Sequence, residues 1–420
     1  MNNNTTTSSN DGITWAPIVP LIGGFPLGAE LAIGKPPVEI FSYDGFSGND
    51  SQYVNFQHNT RGREDIPYTE ITEENADTLK RKINIIVGTP PCAALSQLNT
   101  SKSADAKGAT SPKNDWMYKV AEDGMKIFEA DVIMIENAPA LYTKKGTLVA
   151  ERMYEMAKEN NYSLSLYKTS TMYHGVPQAR DRTFACFWRS PTAPILEWHD
   201  KEFKEFKEYL SDIPDNALQQ ELVINENVGN KEPYYRFITH LLGEGADTRK
   251  ALHDENFKTS YNYVNRKGLL QDAIKWFEET GDEKGLRQAR HAEYKQSIDK
   301  GIWDGSTHVF NEYMNAVIGR NLNDTIHPTE DRSLTVREAL HMMAFPDDFE
   351  LIGGLRNVNM IAQNVPVCTA ADMVRQAVKF VKGELAFSES DLVKQNNHKN
   401  TVDVGILPND SVDITTYFVN

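Results

Sequence analysis

Between Pro17 and Arg189 the chain alternates short apolar runs with longer stretches in which apolar residues recur at helical spacing. The runs predict strands over 38–43, 83–87, 132–135, 163–167 and 183–188, and the stretches between them predict helices, among them 115–129 and 147–160. Alternation of this kind predicts an α/β domain. From 191 to 324 the pattern changes: charged and aromatic residues become more frequent and the β-α alternation stops, which predicts a second domain. Residues 334–343 and 370–382 again read as helices and are expected to return to the first domain. The expected division is a disordered lead-in (1–12), an α/β domain in two parts (13–190 and 325–384), an inserted smaller domain (191–324), and a polar tail (385–420) with no evident anchor. No internal repeat is found.

Composition narrows the class. With 420 residues, 40% of them hydrophobic, the chain is long enough for one large domain and a smaller one. No run approaches the roughly 18 apolar residues that span a bilayer, so no membrane partner is expected. Residues 1–11 are mostly Asn, Thr and Ser, without the basic start and apolar stretch of a signal peptide. Three widely spaced cysteines, Cys92, Cys186 and Cys368, make neither a disulfide framework nor a zinc site. The expectation is a cytoplasmic, reduced, metal-free monomer. The net charge of −15 weighs against a nucleic-acid partner, but phosphate contacts need only a local basic surface. Arg249, Lys250, Lys258, Arg266, Lys267, Arg287, Arg290 and Lys295 offer one, interleaved with acidic residues in a pattern that equally suits a mixed solvated surface.

In open α/β sheets, ligands bind beyond the carboxyl ends of the strands. Strand 83–87 runs into Gly88-Thr89-Pro90-Pro91-Cys92, which places a cysteine on a loop stiffened by two prolines. Strand 132–135 runs into Glu136-Asn137, which places a carboxylate at another strand end. Each has an ordinary reading too, the cysteine as a small buried hydrophobe and the carboxylate as a cap. A third segment, His174-Gly175-Val176-Pro177-Gln178-Ala179-Arg180-Asp181-Arg182, enters the last strand, and there Arg180 and Arg182 share a face because side chains alternate. Two guanidiniums on one face can orient a carboxylate or phosphate, or pair with acidic neighbours.

Pro-Pro-Cys, Glu-Asn and Gln-x-Arg-x-Arg, in this order after Gly23-Gly24-Phe25-Pro26-Leu27-Gly28, resemble the ordered motifs of DNA cytosine-5 methyltransferases. Arg332-Ser333-Leu334-Thr335-Val336-Arg337-Glu338 with Phe345-Pro346-Asp347-Asp348-Phe349 is similar to the family's penultimate motif, and Gln363-Asn364-Val365-Pro366 to its last. The resemblance implies a Rossmann-like, S-adenosylmethionine-dependent methyltransferase domain with an inserted target-recognition domain acting on double-stranded DNA. It implies Cys92 as the nucleophile that adds to C6 of a flipped-out cytosine. Glu136 would hold the ring, Arg180 and Arg182 would orient base and catalytic groups, and Gln178 would support the loop. It implies S-adenosylmethionine beside Ile22, Gly23, Gly24, Phe25, Asp44, Glu70, Ile71, Pro91, Gln363 and Asn364. The first motif departs from the family pattern: Val19 stands where an aromatic is usual and Leu21 where a glycine is usual. That departure leaves room for another one-carbon donor on the same scaffold. A tRNA methyltransferase would carry a Cys-Phe-Thr segment, which is absent, and a non-catalytic DNA-binding relative would commonly lack the Cys or the arginines, which are present.

Overall fold

The apolar runs become the centre of a nine-stranded sheet. The computed structural model describes residues 12–44, 51–59, 65–91, 94–96, 103, 107–226, 228–302, 307–318 and 321–407. Two compact units emerge: Met1–Val176, Arg180–Glu202 and Asn364–Asn420 in the first, Pro177–Ala179 and Phe203–Gln363 in the second. The segment expected as an insert, 191–324, lies largely within the second unit, which also takes in the stretch up to Gln363.

In the first unit the elements run β1 (Trp15–Ile18), α1 (Gly24–Ile33), β2 (Ile40–Ser42), α2 (Ser51–Asn59), β3 (Tyr68–Glu70), β4 (Ile85–Gly88), α3 (Asp115–Lys126), β5 (Val132–Asn137), α4 (Thr147–Glu159) and β6 (Ser163–Ser170). The two-residue β7 (Gln178–Ala179) belongs to the second unit, and β8 (Asp181–Trp188) returns to the first. The strands on the β4–β1–β2–β3 side pair in parallel, whereas β8 runs antiparallel between β5 and β6. β1, β4 and β5 are buried along their whole length, which is why they read as continuous apolar runs rather than as alternation.

The second unit is mainly helical: α5 (Phe206–Leu210), α6 (Val228–Lys231), α7 (Pro233–Leu242), α8 (Thr248–Asp254), α9 (Ser260–Arg266), α10 (Leu270–Thr280) and α11 (Glu283–Ser297), then β9 (Met314–Asn315), α12 (Val336–His341) and α13 (Val358–Ile361). Its aromatic richness is its core, where Tyr234, Phe237, Tyr261 and Phe277 pack together. The helix expected over 334–343 is α12, opened by a reciprocal capping box between Thr335 and Glu338. Arg337, fully buried, donates to the carbonyls of Leu218, Pro346 and Phe349, so the penultimate-motif resemblance is carried here by backbone stitching.

The chain then re-enters the first unit through α14 (Val367–Val381), which lies against α1. The approach is close: a Cβ on Gly28 would sit 2.4 Å from Ala370 Cβ and 2.7 Å from the Val367 carbonyl oxygen. Residues 385–420, read as a polar tail without an anchor, instead supply β10 (Leu392–Asn396), parallel to β6, and β11 (Thr401–Val404) at the sheet edge. Hydropathy alternation missed β10 because amide side chains anchor it. Gln395 accepts from the Leu196 N–H at 2.7 Å and donates to its carbonyl at 3.0 Å, and Asn397 makes the same pair of bonds with His199.

Candidate active site

β4 and β5 are parallel neighbours with Gly88 opposite Ile135, so the segments that follow them leave the same end of the sheet. Cys92 lies outside the described residues; Pro91, just before it, is half-buried. The other two cysteines are held as thiols. Burial pushes Cys186 far above its ordinary range, and desolvation at the start of α14 pushes Cys368 up to about 12.

β5 continues two residues beyond its expected end and carries Glu136 and Asn137 within it, both buried. Glu136 faces Arg182 of β8, its Oε1 2.5 Å from the guanidinium Nε. The antiparallel register that sets β8 beside β5 brings them together. Burial raises the Glu136 carboxyl above its usual range, and the Arg182 and Arg180 charges offset only part of that. Arg180 is itself buried and donates from Nη2 to the Asn364 carbonyl at 2.7 Å. Glu136, Arg182 and Arg180 thus form one electrostatic group. Gln178 is engaged within the second unit: it donates to the Met342 carbonyl and accepts from the Val317 N–H at 2.8 Å.

At the other expected site, the turn from β1 to α1 follows a glycine-like path at two positions that carry side chains. Val19 and Leu21 have φ of 57° and 53°, a region costing side-chain-bearing residues about 1–2 kcal/mol each. Leu21→Gly is therefore expected to be more stable than Leu21→Ala by about 1 kcal/mol, the reverse of the usual order of these residues. Chemical denaturation of the two variants decides it, and an Ala variant equal to or better than Gly would contradict the strained assignment.

Helix α1 begins at Gly24. The Gly24 N–H is taken by Asn364 Oδ1 at 3.1 Å. Ile22 and Phe25 are buried, Phe25 edge-on to Phe184 with ring centroids 5.8 Å apart. Asp44, exposed, follows β2; Glu70, half-buried, ends β3; Ile71 enters the core. Gln363 is exposed and belongs to the second unit. Carboxylates at the carboxyl ends of two adjacent parallel strands, next to a β-turn-α start, fit a ligand bearing a ribose diol.

Sequence reasoning missed one cluster. His174, just before the Gln-x-Arg-x-Arg segment, lies 2.9 Å from Asp372 Oδ2 through Nδ1 and 2.9 Å from Thr169 Oγ1 through Nε2. Asp372 also binds Lys201 at 2.6 Å and Arg375, and the His199 ring lies against His174, tilted by 42° with centroids 4.8 Å apart. Burial pushes both imidazoles down, His199 to about 4. Asp372 is held well below the carboxylate range by His174 and Lys201 against the opposing effect of burial. The ligand atoms of His174, His199 and Asp372 lie within 4.8 Å of one another, a spacing compatible with a metal ion, but two cations already neutralise Asp372. The cluster fastens the β6–β8 loop to α14. Only the His174-Gly175 turn hinted at it, because Asp372 and His199 are distant in sequence.

The arrangement is that of a Rossmann-like methyltransferase. The family model for C-5 cytosine-specific DNA methylase matches residues 20–379, and the chain belongs to that family. The family acts on DNA with a methyl-donor cofactor. The chain is 20% identical to a type II methyltransferase of Oceanobacillus iheyensis over 364 residues, 70% of this chain and 78% of the relative. It is 22% identical to a type II methyltransferase of Methanothermobacter thermautotrophicus, covering 71% and 79%. The crystal structure of a DNA modification methyltransferase encoded within an E. coli prophage superposes with a TM-score of 0.53 at 14% identity, covering 88% of this chain and 99% of that one, a likeness of fold. No helix among the described residues is long and apolar enough to cross a membrane.

Proposed function

We propose that this enzyme methylates C5 of a flipped-out cytosine in double-stranded DNA through a covalent adduct between Cys92 and C6. The observation that carries the reading is the group formed by Glu136, Arg182 and Arg180, in which buried Glu136 sits on β5, the strand paired with the one that leads to Pro91-Cys92, and Arg182 sits on β8, on the other side of β5. C5 of cytosine is a weak nucleophile. Addition of the Cys92 thiolate to C6 turns C5 into an enamine carbon able to accept a methyl group; loss of the C5 proton then expels the thiolate and restores the ring. Glu136, whose carboxyl burial shifts toward the protonated form, donates to ring N3 and accepts from the exocyclic amine, which draws electrons away from C6 as the thiolate adds. Arg182 fixes the carboxyl, and Arg180 adds positive charge beside it. Such chemistry requires the base outside the stack.

S-adenosylmethionine, when bound, supplies the electrophilic methyl group. Asp44 would hold its ribose and Glu70 its adenine side, with Ile22, Gly23, Gly24, Phe25, Ile71, Pro91 and Asn364 around them. The second unit, centred on 191–324, serves as the target-recognition domain. There Arg249, Lys267 and Arg290 are already paired with Asp247, Glu255 and Glu278, which leaves Lys250, Lys258, Arg266, Arg287 and Lys295 as the better phosphate ligands.

Methylome sequencing of DNA from cells expressing the protein tests the reading: 5-methylcytosine at one recurrent sequence is expected, and unmodified cytosine throughout would overturn it. Titration with S-adenosylhomocysteine tests the donor. Saturable binding weakened roughly tenfold by Asp44→Ala, about 1.4 kcal/mol, is expected. No binding at millimolar ligand, by a protein that still modifies cytosine, would point to another one-carbon donor.

A further inference from the structure

Asn364 stands between the two halves of the site just described. Its side-chain Oδ1 accepts from the Gly24 N–H, the first amide of α1, at 3.1 Å. Its main-chain carbonyl accepts from Arg180 Nη2 at 2.7 Å. Asn364 is 1% exposed and Arg180 likewise 1%, so both bonds form away from bulk water, where they are strong and costly to break. The surroundings leave little slack. A Cβ on Gly24 would lie 2.2 Å from the Val365 carbonyl oxygen and 3.0 Å from Asn364 Cβ, so the 364–365 backbone lies directly against the start of α1. Three residues downstream α14 begins, and its contact with Gly28 fixes the same two segments a turn further along. On the far side of the link the Arg180 charge acts on the Glu136 carboxyl together with Arg182, which lies 2.5 Å from it. The turn preceding Gly24 contains the left-handed Val19 and Leu21, a strained path that a ligand can relax or reinforce.

We propose that Asn364 is the positioning residue that couples donor binding at the β1–α1 turn to the arrangement of Arg180 and Glu136. The inference rests on the methyltransferase reading above and deepens it. A ligand that draws the first turn of α1 toward itself moves the Gly24 N–H. Asn364 then transmits the shift to the guanidinium, which takes up its place beside Glu136. Coupling of this kind is reciprocal, so base capture must tighten donor binding by the same factor that donor binding tightens base capture.

The test measures that factor. S-adenosylhomocysteine affinity is determined by calorimetry on the full chain, alone and saturated with a duplex carrying the methylated sequence. The ratio of the two constants is compared across variants. The wild type is expected to show a ratio of about 5–150, the range of typical site-to-site coupling. Asn364→Ala removes the acceptor for Gly24 while keeping the main-chain carbonyl, and its ratio is expected to fall to within about twofold of one. Asn364→Asp, which retains an acceptor oxygen, is expected to keep most of the coupling. Asn364→Leu, matched in volume, carries the test if the Ala variant does not fold. Hydrogen exchange of the Gly24 amide in the free protein is expected to accelerate in the Ala and Leu variants and not in Asp, which reads the bond itself. A merely structural role would weaken both affinities and leave their ratio unchanged, and that result overturns the proposal, as does a wild-type ratio of one. Failure of the methyltransferase reading looks different: the wild type then binds neither ligand.

Discussion

DNA carrying 5-fluorocytosine is expected to form a complex with this protein that survives denaturation, and Cys92→Ala is expected to abolish it. Fluorine at C5 cannot leave as a proton does, so the reaction stops after methyl transfer with the thiolate still on C6. Methyl transfer to ordinary DNA should fall in the same variant by on the order of 10³-fold or more, since no other group takes over a covalent step. Cys186→Ala and Cys368→Ala serve as controls. Their thiols are held protonated by desolvation, Cys368 up to about 12 and Cys186 beyond that, so neither offers a thiolate at neutral pH. Both variants should form the adduct at the wild-type rate. A Cys92→Ala protein that still gives a denaturation-resistant band would remove Cys92 from the mechanism.

The second large effect concerns Glu136. Replacement by Gln removes the proton that the proposed mechanism passes to N3 and is expected to slow methyl transfer by about 10²–10⁴-fold. Replacement by Ala does more, because it strands Arg182 in a largely buried position. Breaking one side of a buried pair costs about 3–5 kcal/mol, so Glu136→Ala should unfold well before Glu136→Gln, in which an amide oxygen still accepts from Arg182. The pH dependence follows from the direction of the shift. Burial raises the carboxyl in the folded protein, so its favourable contribution is complete below the ordinary carboxylate pKa and is lost as pH rises through the raised one. The stability difference between wild type and Glu136→Gln should therefore narrow or reverse over that interval, and the wild-type rate should decline with it. Thermal melts of both proteins across that pH interval check the first point. A difference independent of pH would show that Glu136 stays ionised beside Arg182.

Much of this site was legible before any coordinates, because it depends on local sequence. The strands that reach Glu136 and Arg182 are uninterrupted apolar runs, and uninterrupted runs mark strands buried on both faces. What sequence could not supply was long-range register. Nothing local says that β8 turns back antiparallel beside β5, yet that pairing is what sets Arg182 against Glu136. The Gly24–Asn364 bond and the His174–Asp372 pair are likewise invisible in one dimension. β10 escaped for another reason: three of its five residues are Lys, Gln and Asn, buried and satisfied individually, so no period of two survives. Val19 and Leu21 show the opposite failure, where a residue change suggested an altered loop and the backbone kept the left-handed path regardless.

The late arrival of α14 and β10 has a consequence for how the protein is made. The partners Gly24 and Asn364 are 340 residues apart, and Tyr167 and Asn397 are 230 apart. At the usual pace of translation, about 5–20 residues per second, α1 waits roughly 20–70 s on the ribosome for the helix that covers it. Over much of that interval β6 keeps an open edge able to pair with any neighbouring nascent strand. Polysomes, where copies emerge side by side, are therefore where this chain is most exposed to misassembly. Slow initiation and an ample supply of holding chaperones favour its yield more than any gain in the stability of the finished fold.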